Sequence, residues 1–248
     1  MAPPIRYPPV VRTRPRPGRK NAASRCYEST PGLSIIAMKI TIIYDNTACV
    51  PALRADWGFA CLVETSGRTL LFDTGAKGTI LMGNMAALGI DPAAIDTVFI
   101  SHNHWDHTGG LADFLTAHPT AVCIPAACTP PEGATTVLTV DKPIELFDNF
   151  YSTGQLGGVE QALVIRHQDH TVVITGCSHP GVGNIVDAAR RFGDVTDLVG
   201  GLHDFSDFGL VDRLESICPA HCTRHMDTIK HDYPDRYTAA GAGRVLAF

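Results

Sequence analysis

Residues 96–110 read DTVFISHNHWDHTGG, an apolar strand-like run that ends directly at a cluster of histidines. Within six residues this cluster supplies four side chains of metal-binding type: His102, His104, Asp106 and His107. In a tight turn, alternate side chains can point into one concavity and hold a metal ion together. Imidazole nitrogens and a carboxylate suit zinc, manganese or iron. The stretch therefore predicts a metal centre at the end of a buried strand.

The chain on both sides of this stretch mixes strand and helix patterns. Alternating or apolar runs predict strands at 38–44, 59–65, 69–73, 96–100, 121–126, 161–167, 170–176, 197–201, 217–219 and 244–248. Helical patterns occur at 78–88, 110–117, 183–192, 207–216 and 223–232, and Ser66-Gly67 is predicted to be a hairpin turn. Residues 127–158, rich in Thr, Pro and Gly, predict no element. The order indicates a mixed α/β (α+β) domain rather than a strict βαβ repeat.

The first 37 residues have a different composition from the rest. They contain seven of the 17 prolines, seven basic residues and one acidic residue, for a net charge of +6. Such a segment buries too little apolar surface to fold, so we expect a disordered basic tail at 1–37 and one domain at 38–248. An Arg-rich, acid-poor start is also compatible with an organelle transit peptide. Met38 opens the strand-like run MKITIIYD, so an initiation site there is an alternative.

Charge and hydropathy exclude several classes of protein. The 248 residues include 20 Lys and Arg against 25 Asp and Glu, and residues 38–248 alone carry a net charge of −11. An acidic body opposes binding to nucleic-acid phosphates, and no apolar run approaches the ~20 residues of a membrane span. The eight cysteines occur without an export signal, which argues against a disulfide framework. We therefore expect a cytoplasmic protein with a small-molecule partner.

The segment SHNHWDHTGG resembles the HxHxDH metal motif of the metallo-β-lactamase superfamily. That family has a four-layered αββα sandwich fold, so the resemblance implies this fold for residues 38–248. Five more motifs occur in the expected order: DNTA at 45–48, LLFDTG at 70–75, GCSHPG at 176–181, GGLHDF at 200–205 and PAHCTRH at 219–225. Together they resemble the subfamily of 7,8-dihydropterin-6-methyl-4-(β-D-ribofuranosyl)aminobenzene-5′-phosphate synthase-like proteins.

Two sets of metal ligands are implied by this resemblance. The first set is His102, His104 and His179. The second set is Asp106, His107 and His221. Cys177 stands where typical members have a bridging aspartate, and it is either a thiolate ligand or a buried unligated thiol. Typical hydrolases also have a histidine in the region that corresponds to 119–166, where this chain has none. We therefore expect one or two divalent ions, with zinc first and manganese or iron as alternatives.

The implied activity is metal-dependent hydrolysis, or transfer to a pterin by a synthase of the same subfamily. A metal with an open position lowers the pKa of bound water from ~15.7 to near 7 and so supplies hydroxide as the nucleophile. Asp106 is the candidate for orienting this nucleophile, and His203 is either a further ligand, a substrate contact or a structural residue. Arg224 is either a contact for an anionic group of the substrate or a solvated residue at the start of a helix. The alternative is a non-catalytic metal-binding or ligand-binding protein on the same fold.

Overall fold

Two β-sheets pack face to face, and helices cover the outer face of each sheet. This is a computed structural model, and it describes residues 38–65 and 67–248. The predicted tail at 1–37 and Ser66 of the predicted hairpin turn lie outside the described residues. Across the described part of the chain the layers run helix, sheet, sheet, helix, which is the predicted αββα sandwich.

The first sheet is built largely from the first half of the chain. Its strands are β1 (Lys39–Tyr44), β2 (Ala60–Thr65), β3 (Arg68–Phe72), β4 (Thr97–Phe99), β5 (Ala121–Pro125), β6 (Thr136–Val140) and β13 (Val245–Ala247). Across the sheet they lie in the order β13-β1-β2-β3-β4-β5-β6. The neighbours β1, β2 and β3 are antiparallel, whereas β3, β4, β5 and β6 are parallel. The parallel pairs β3–β4 and β4–β5 are joined by helical crossovers, as parallel neighbours require.

The second sheet consists of β7 (Ile144–Phe147), β8 (Phe150–Ser152), β9 (Leu163–His167), β10 (His170–Thr175), β11 (Asp197–Gly201) and β12 (Ser216–Ala220). Across the sheet they lie in the order β12-β11-β10-β9-β8-β7. The strands β7 to β10 form an antiparallel meander, and β10, β11 and β12 are parallel. Of the parallel strands in the two sheets, β3, β4, β10, β11 and β12 lead into the sequence motifs quoted above.

The helices divide between the two outer faces. They are α1 (Gly78–Ala87), α2 (Trp105–Thr108), α3 (Leu111–Ala117), α4 (Val182–Ala189) and α5 (Met226–Asp232). One apolar cluster joins α1 and α3 to the first sheet, and another joins α4 and α5 to the second. The central cluster lies between the sheets and includes Phe72 and Phe99, whose rings stack 5.4 Å apart. Its burial holds the two sheets together.

The structure differs from the sequence-based elements in three places. Residues 127–158 contain β6, β7 and β8, which sequence reasoning missed because their pattern is exposed or irregular. The helix predicted at 207–216 is a 3-10 helix at Phe208–Arg213. The HxHxDH segment contains the one-turn helix α2, which is too short to show a periodic pattern. In the described residues, no helix has both the length and the apolar character needed to cross a membrane.

The contact between the two sheets gives a prediction about stability. Phe72→Ala removes a fully buried ring from the central cluster, so the free energy of unfolding should fall by about 3–5 kcal/mol. The measurement is urea unfolding followed by far-ultraviolet circular dichroism. The matched control is Leu138→Ala on β6, where the leucine is 43% exposed and the loss should be small. Equal losses in the two variants would contradict the assigned core.

Candidate metal centre

Loops that follow strands of both sheets converge at one edge of the sandwich. The HxHxDH segment follows β4, the segment 176–179 follows β10, and His221 follows β12. Asp45 and Asp73 follow β1 and β3 at the same edge. Because strands that run in the same direction end at a common edge, side chains that are far apart in sequence come together here.

The first ligand group consists of three imidazoles with their nitrogens close together. His104 Nδ1 lies 3.0 Å from His102 Nε2 and 3.1 Å from His179 Nε2. Two nitrogen ligands of a tetrahedral zinc, each 2.0–2.1 Å from the metal, are about 3.3 Å apart. The separations therefore fit three nitrogens that converge on one small cation.

The second group consists of Asp106, His107 and His221, whose ligand atoms lie within 4.8 Å of one another. Asp106 Oδ2 lies 3.2 Å from His221 Nε2 and 3.9 Å from His107 Nε2. His221 Nε2 is buried and makes no hydrogen bond, although it is at ion-pair distance from the carboxylate. A buried nitrogen without a hydrogen-bond partner is costly, and a metal ion would satisfy it.

Cys177 lies between the two groups. Its Sγ is 3.2 Å from His107 Nε2, and it lies within 4.8 Å of ligand atoms of both His102 and His179. It is also within that distance of the His221 ligand atom. The structure therefore places the Cys177 thiol next to both ligand groups, although its role as a ligand stays a prediction. A hydrogen bond with Cys222, together with burial, raises the pKa of the Cys177 thiol.

The far ring nitrogen of three histidines is hydrogen-bonded to the protein. Asp73 Oδ2 accepts from His107 Nδ1 at 2.7 Å. Ser101 Oγ lies 2.9 Å from His102 Nδ1, and Asn46 Oδ1 lies 3.0 Å from His221 Nδ1. Each contact fixes the ring and leaves Nε2 facing the other ligand atoms. Metal-binding histidines are typically oriented in this way, by a hydrogen bond at the nitrogen that does not bind the metal.

Burial sets the protonation of the cluster. Burial lowers the pKa of His102, His179 and His221, and nearby histidines add to the effect at His102. Burial opposes the charged form of His107, but Asp73 beside it outweighs this and raises the pKa of His107. For Asp106, burial is outweighed by the neighbouring imidazoles of His221 and His107, which together lower its pKa. The neutral imidazoles of His102, His179 and His221 and the ionised carboxylate of Asp106 are forms that bind metal.

The residues at this edge of the sandwich fit a divalent metal ion. The site combines imidazole nitrogens at close separation, an ionised carboxylate, a thiol and a buried nitrogen without a hydrogen bond. In such a centre the ions would be held by His102, His104 and His179 on one side and by Asp106, His107 and His221 on the other, with Cys177 between. This donor set suits zinc and other borderline metals.

The buried carboxylate of Glu160 holds the segment that contains Cys177 and His179. Glu160 Oε1 accepts hydrogen bonds from the backbone N–H groups of residues 176, 177 and 178 and from Thr175 Oγ1, at 3.0–3.1 Å. Glu160 Oε2 accepts from the backbone N–H of His179 at 2.8 Å. One carboxylate with no exposed surface therefore fixes the backbone of two predicted ligands.

The backbone at the site is tightly constrained. Six described non-glycine residues have positive φ, and four belong to this edge: Asp73, Ser178, His203 and His221, with φ between 46° and 63°. Gly176 is required by a close approach, because a Cβ there would lie 2.1 Å from Ser101 Oγ and 3.0 Å from His102 Nδ1. Backbone strain of this kind concentrates at functional sites.

An open cleft of about 390 Å³ lies over the ligand groups. Trp57 and Trp105, 49% and 63% exposed, line the cleft rather than the core. The Nε1–H of Trp57 donates to Asp106 Oδ2 at 2.8 Å. His203 and Arg224 also line the cleft, and His203 shares a second cavity of about 420 Å³ with the loop 202–207 and the start of α4. A small molecule can therefore reach the predicted metal ligands from solvent.

All the site residues predicted from the sequence meet at this edge of the sandwich. His203 approaches Cys177 and His179, but it is not grouped with the second ligand set. Sequence reasoning missed Glu160, Ser101 and Cys222. The partners of Glu160 lie 15 to 19 residues away in a different strand and loop, so no local pattern announces it.

The described fold is similar to that of a metal-dependent hydrolase of the β-lactamase superfamily, and the sequence profile of the metallo-β-lactamase superfamily matches residues 58–130. The matched segment contains the HxHxDH cluster. The superfamily consists mostly of metal-dependent hydrolases, and its members typically bind divalent metals.

Particular relatives are similar over most of the chain. The 7,8-dihydropterin-6-methyl-4-(β-D-ribofuranosyl)-aminobenzene-5′-phosphate synthase of Methanocaldococcus jannaschii is 24% identical, covering 77% of this chain and 88% of the relative. The uncharacterized protein MJ0448 of the same organism is also 24% identical, over 84% of this chain and 99% of its own length. The crystal structure of Tm1679, a metal-dependent hydrolase of the β-lactamase superfamily, has a TM-score of 0.68 and 26% identity, covering 84% of this chain and 98% of that chain.

The hydrogen bonds of Glu160 give a prediction about metal affinity. In Glu160→Gln the amide nitrogen cannot accept, so at least the His179 N–H or the group of donors on the other oxygen loses its partner. The free energy of unfolding should fall by about 1–3 kcal/mol, and metal affinity by roughly 10–100-fold. Affinity is measured by competition with a chromophoric chelator, and stability by urea unfolding.

The control for this variant is Glu145→Gln, at an exposed glutamate on β7. It should leave both quantities unchanged. If Glu160→Gln loses stability but binds zinc as tightly as the wild type, the carboxylate supports the fold without arranging the ligands.

Proposed function

We propose that this protein is a metal-dependent hydrolase that acts on a small anionic molecule. The observation that supports this most directly is the pair of ligand groups at the floor of one open cleft, with the Cys177 thiol between them. A site built only to store or transport a metal has no need for a cleft of this size above the ligands.

Residues around the cleft have separate tasks in the proposed reaction. A divalent ion bound here would activate water as a nucleophile and polarise a carbonyl or phosphoryl oxygen of the substrate. Asp106 is the residue that orients the nucleophile, since its Oδ2 lies between Trp57 Nε1 and His221 Nε2. Trp57 fixes the carboxylate by its hydrogen bond and also contacts the His221 ring at 4.9 Å. The geometry therefore keeps Asp106 ionised and immobile.

His203 and Arg224 are the proposed substrate contacts. His203 lines both cavities, so a molecule that extends from the ligand groups toward α4 passes it. The Arg224 guanidinium is exposed and pairs with Asp204 at 2.9 Å. Such an exposed pair is weak, so an anionic group of a substrate can displace Asp204. This arrangement favours a substrate that carries a phosphate or carboxylate group over a neutral substrate.

A pterin-linked transfer reaction is the second candidate. It is supported by the similarity to the Methanocaldococcus jannaschii synthase, which covers most of both chains. Such a transfer would use the same ligand groups, because a divalent ion held there would assist the loss of diphosphate from a pterin. For either reaction we propose a zinc enzyme of the cytoplasm, with a small molecule rather than a nucleic acid as its partner, in keeping with the acidic charge of residues 38–248.

Metal content tests the proposed centre. We expect the purified full chain, loaded with zinc and then desalted, to retain about two ions per chain. His102→Ala and His179→Ala each remove a ligand nitrogen of the first group, so each variant should retain fewer ions. The measurement is elemental analysis by mass spectrometry, with circular dichroism to confirm that each variant folds.

His231→Ala is the matched control, because His231 is an exposed histidine of α5 that contacts Asp232. Its metal content should equal that of the wild type. Equal content in all four proteins would contradict the proposed centre. If the ions bind but no ester, thioester, phosphodiester or pterin diphosphate is converted, the non-catalytic metal-binding alternative replaces the hydrolase.

A further inference from the structure

A second thiol lies beside Cys177, outside both predicted ligand sets. The ligand atoms of Cys222, Cys177 and His221 lie within 4.8 Å of one another. Cys222 also lines the cleft, so its sulfur is next to the space above the ligand groups. Its Sγ lies beside the Cys177 thiol and 3.8 Å from the backbone oxygen of Cys177.

The backbone leaves room for this pair of sulfurs. A Cβ on Gly201 would lie 2.8 Å from Cys222 Sγ and 3.3 Å from the Cα of Cys177. Glycine at the end of β11 therefore lets the Cys222 side chain lie directly against the Cys177 segment. Thr223 Oγ1 donates to the oxygen of Ala220 and accepts from the N–H of Leu202, which fixes the turn that carries Cys222. The proximity of the two thiols is thus built into the backbone.

We propose that Cys222 is a further metal ligand, so that two thiolates and the His221 imidazole contribute to holding the ion of the second ligand group. This inference rests on the metal centre of the proposed function and extends it. Two sulfurs and one ring nitrogen are donors typical of zinc, with sulfurs at ~2.3 Å from the metal. Thiolates favour zinc and cadmium, whereas oxygen donors favour manganese and magnesium. The pair therefore makes this position selective for a soft or borderline metal.

The two thiols also explain why a bridging aspartate is not needed here. Cys177 contacts His107 and lies near the first ligand group, while Cys222 is grouped with Cys177 and His221. Cys177 therefore lies between the two ligand groups, and Cys222 lies on the His221 side. With Asp106 ionised nearby, the two thiolates give the His221 side more negative charge than the first group, which consists of neutral imidazoles.

Cobalt substitution tests the ligand directly, because thiolate-to-cobalt charge transfer gives an absorbance in the near ultraviolet that imidazole and carboxylate ligands do not give. In the cobalt-loaded full chain, Cys222→Ser and Cys177→Ser should each lower this absorbance, by about half if each sulfur contributes equally. The double variant should abolish it. Cys128→Ser, at a thiol that packs in the outer apolar cluster of the first sheet, is the matched control and should leave the spectrum unchanged.

Zinc selectivity provides the second readout. Competition between zinc and manganese, measured by elemental analysis, should shift toward manganese in Cys222→Ser, since a hydroxyl is a harder donor than a thiolate. Circular dichroism confirms folding, and Cys222→Ala replaces Cys222→Ser if the serine variant does not fold. A charge-transfer band that is unchanged in a folded Cys222 variant overturns the assignment.

The outcomes separate this inference from the proposed function. If the Cys222 variants lose the charge-transfer band but the wild type hydrolyses no substrate, the ligand assignment stands and the hydrolase assignment falls. If the wild type binds cobalt without a charge-transfer band, neither thiol is a ligand and the inference is wrong, while the histidine centre stands. If cobalt does not bind at all, both are wrong.

Discussion

Two buried carboxylates determine the arrangement on which the rest of the site depends. Asp73 accepts hydrogen bonds from the backbone N–H and hydroxyl of Ser101 and from the ring of His107. It therefore connects the end of β3 to the HxHxDH segment after β4. Glu160 plays the same role in the second sheet, where it fixes the segment that contains Cys177 and His179. Each carboxylate is fully buried, so the cost of removing it from water is offset only while all its hydrogen-bond donors remain in place.

This dependence couples the fold to the candidate metal centre. His102, His104 and His107 belong to the first sheet, and His179 and His221 belong to the second. Each ligand group contains residues from both, so a metal ion in either group would join the two halves of the sandwich at one edge, while Phe72 and Phe99 pack between the sheets in the interior. Because such an ion binds only the folded arrangement, it would stabilise the native state.

The donor set distinguishes the two sides of the centre. The first group is all imidazole, whereas the side near His221 combines a carboxylate with neighbouring thiols. With the proposed thiolate ligands, softness of the donors rather than the shape of the cleft would separate the metals that each side prefers. The exposed rings of Trp57 and Trp105 line the cleft and place apolar surface beside the polar ligand groups.

The sequence by itself determined the class of fold, most strands and the cluster at 102–107, because alternating apolar residues and closely spaced ligands are local patterns. The resemblance of two further motifs to the family added His179 and His221 to the predicted ligands. Tertiary structure decided the rest. The strands β6, β7 and β8 form by pairing with their neighbours rather than through a pattern of their own. Glu160 and Cys222 gain their contacts only when loops from separate strands meet, so no spacing in the chain could reveal them.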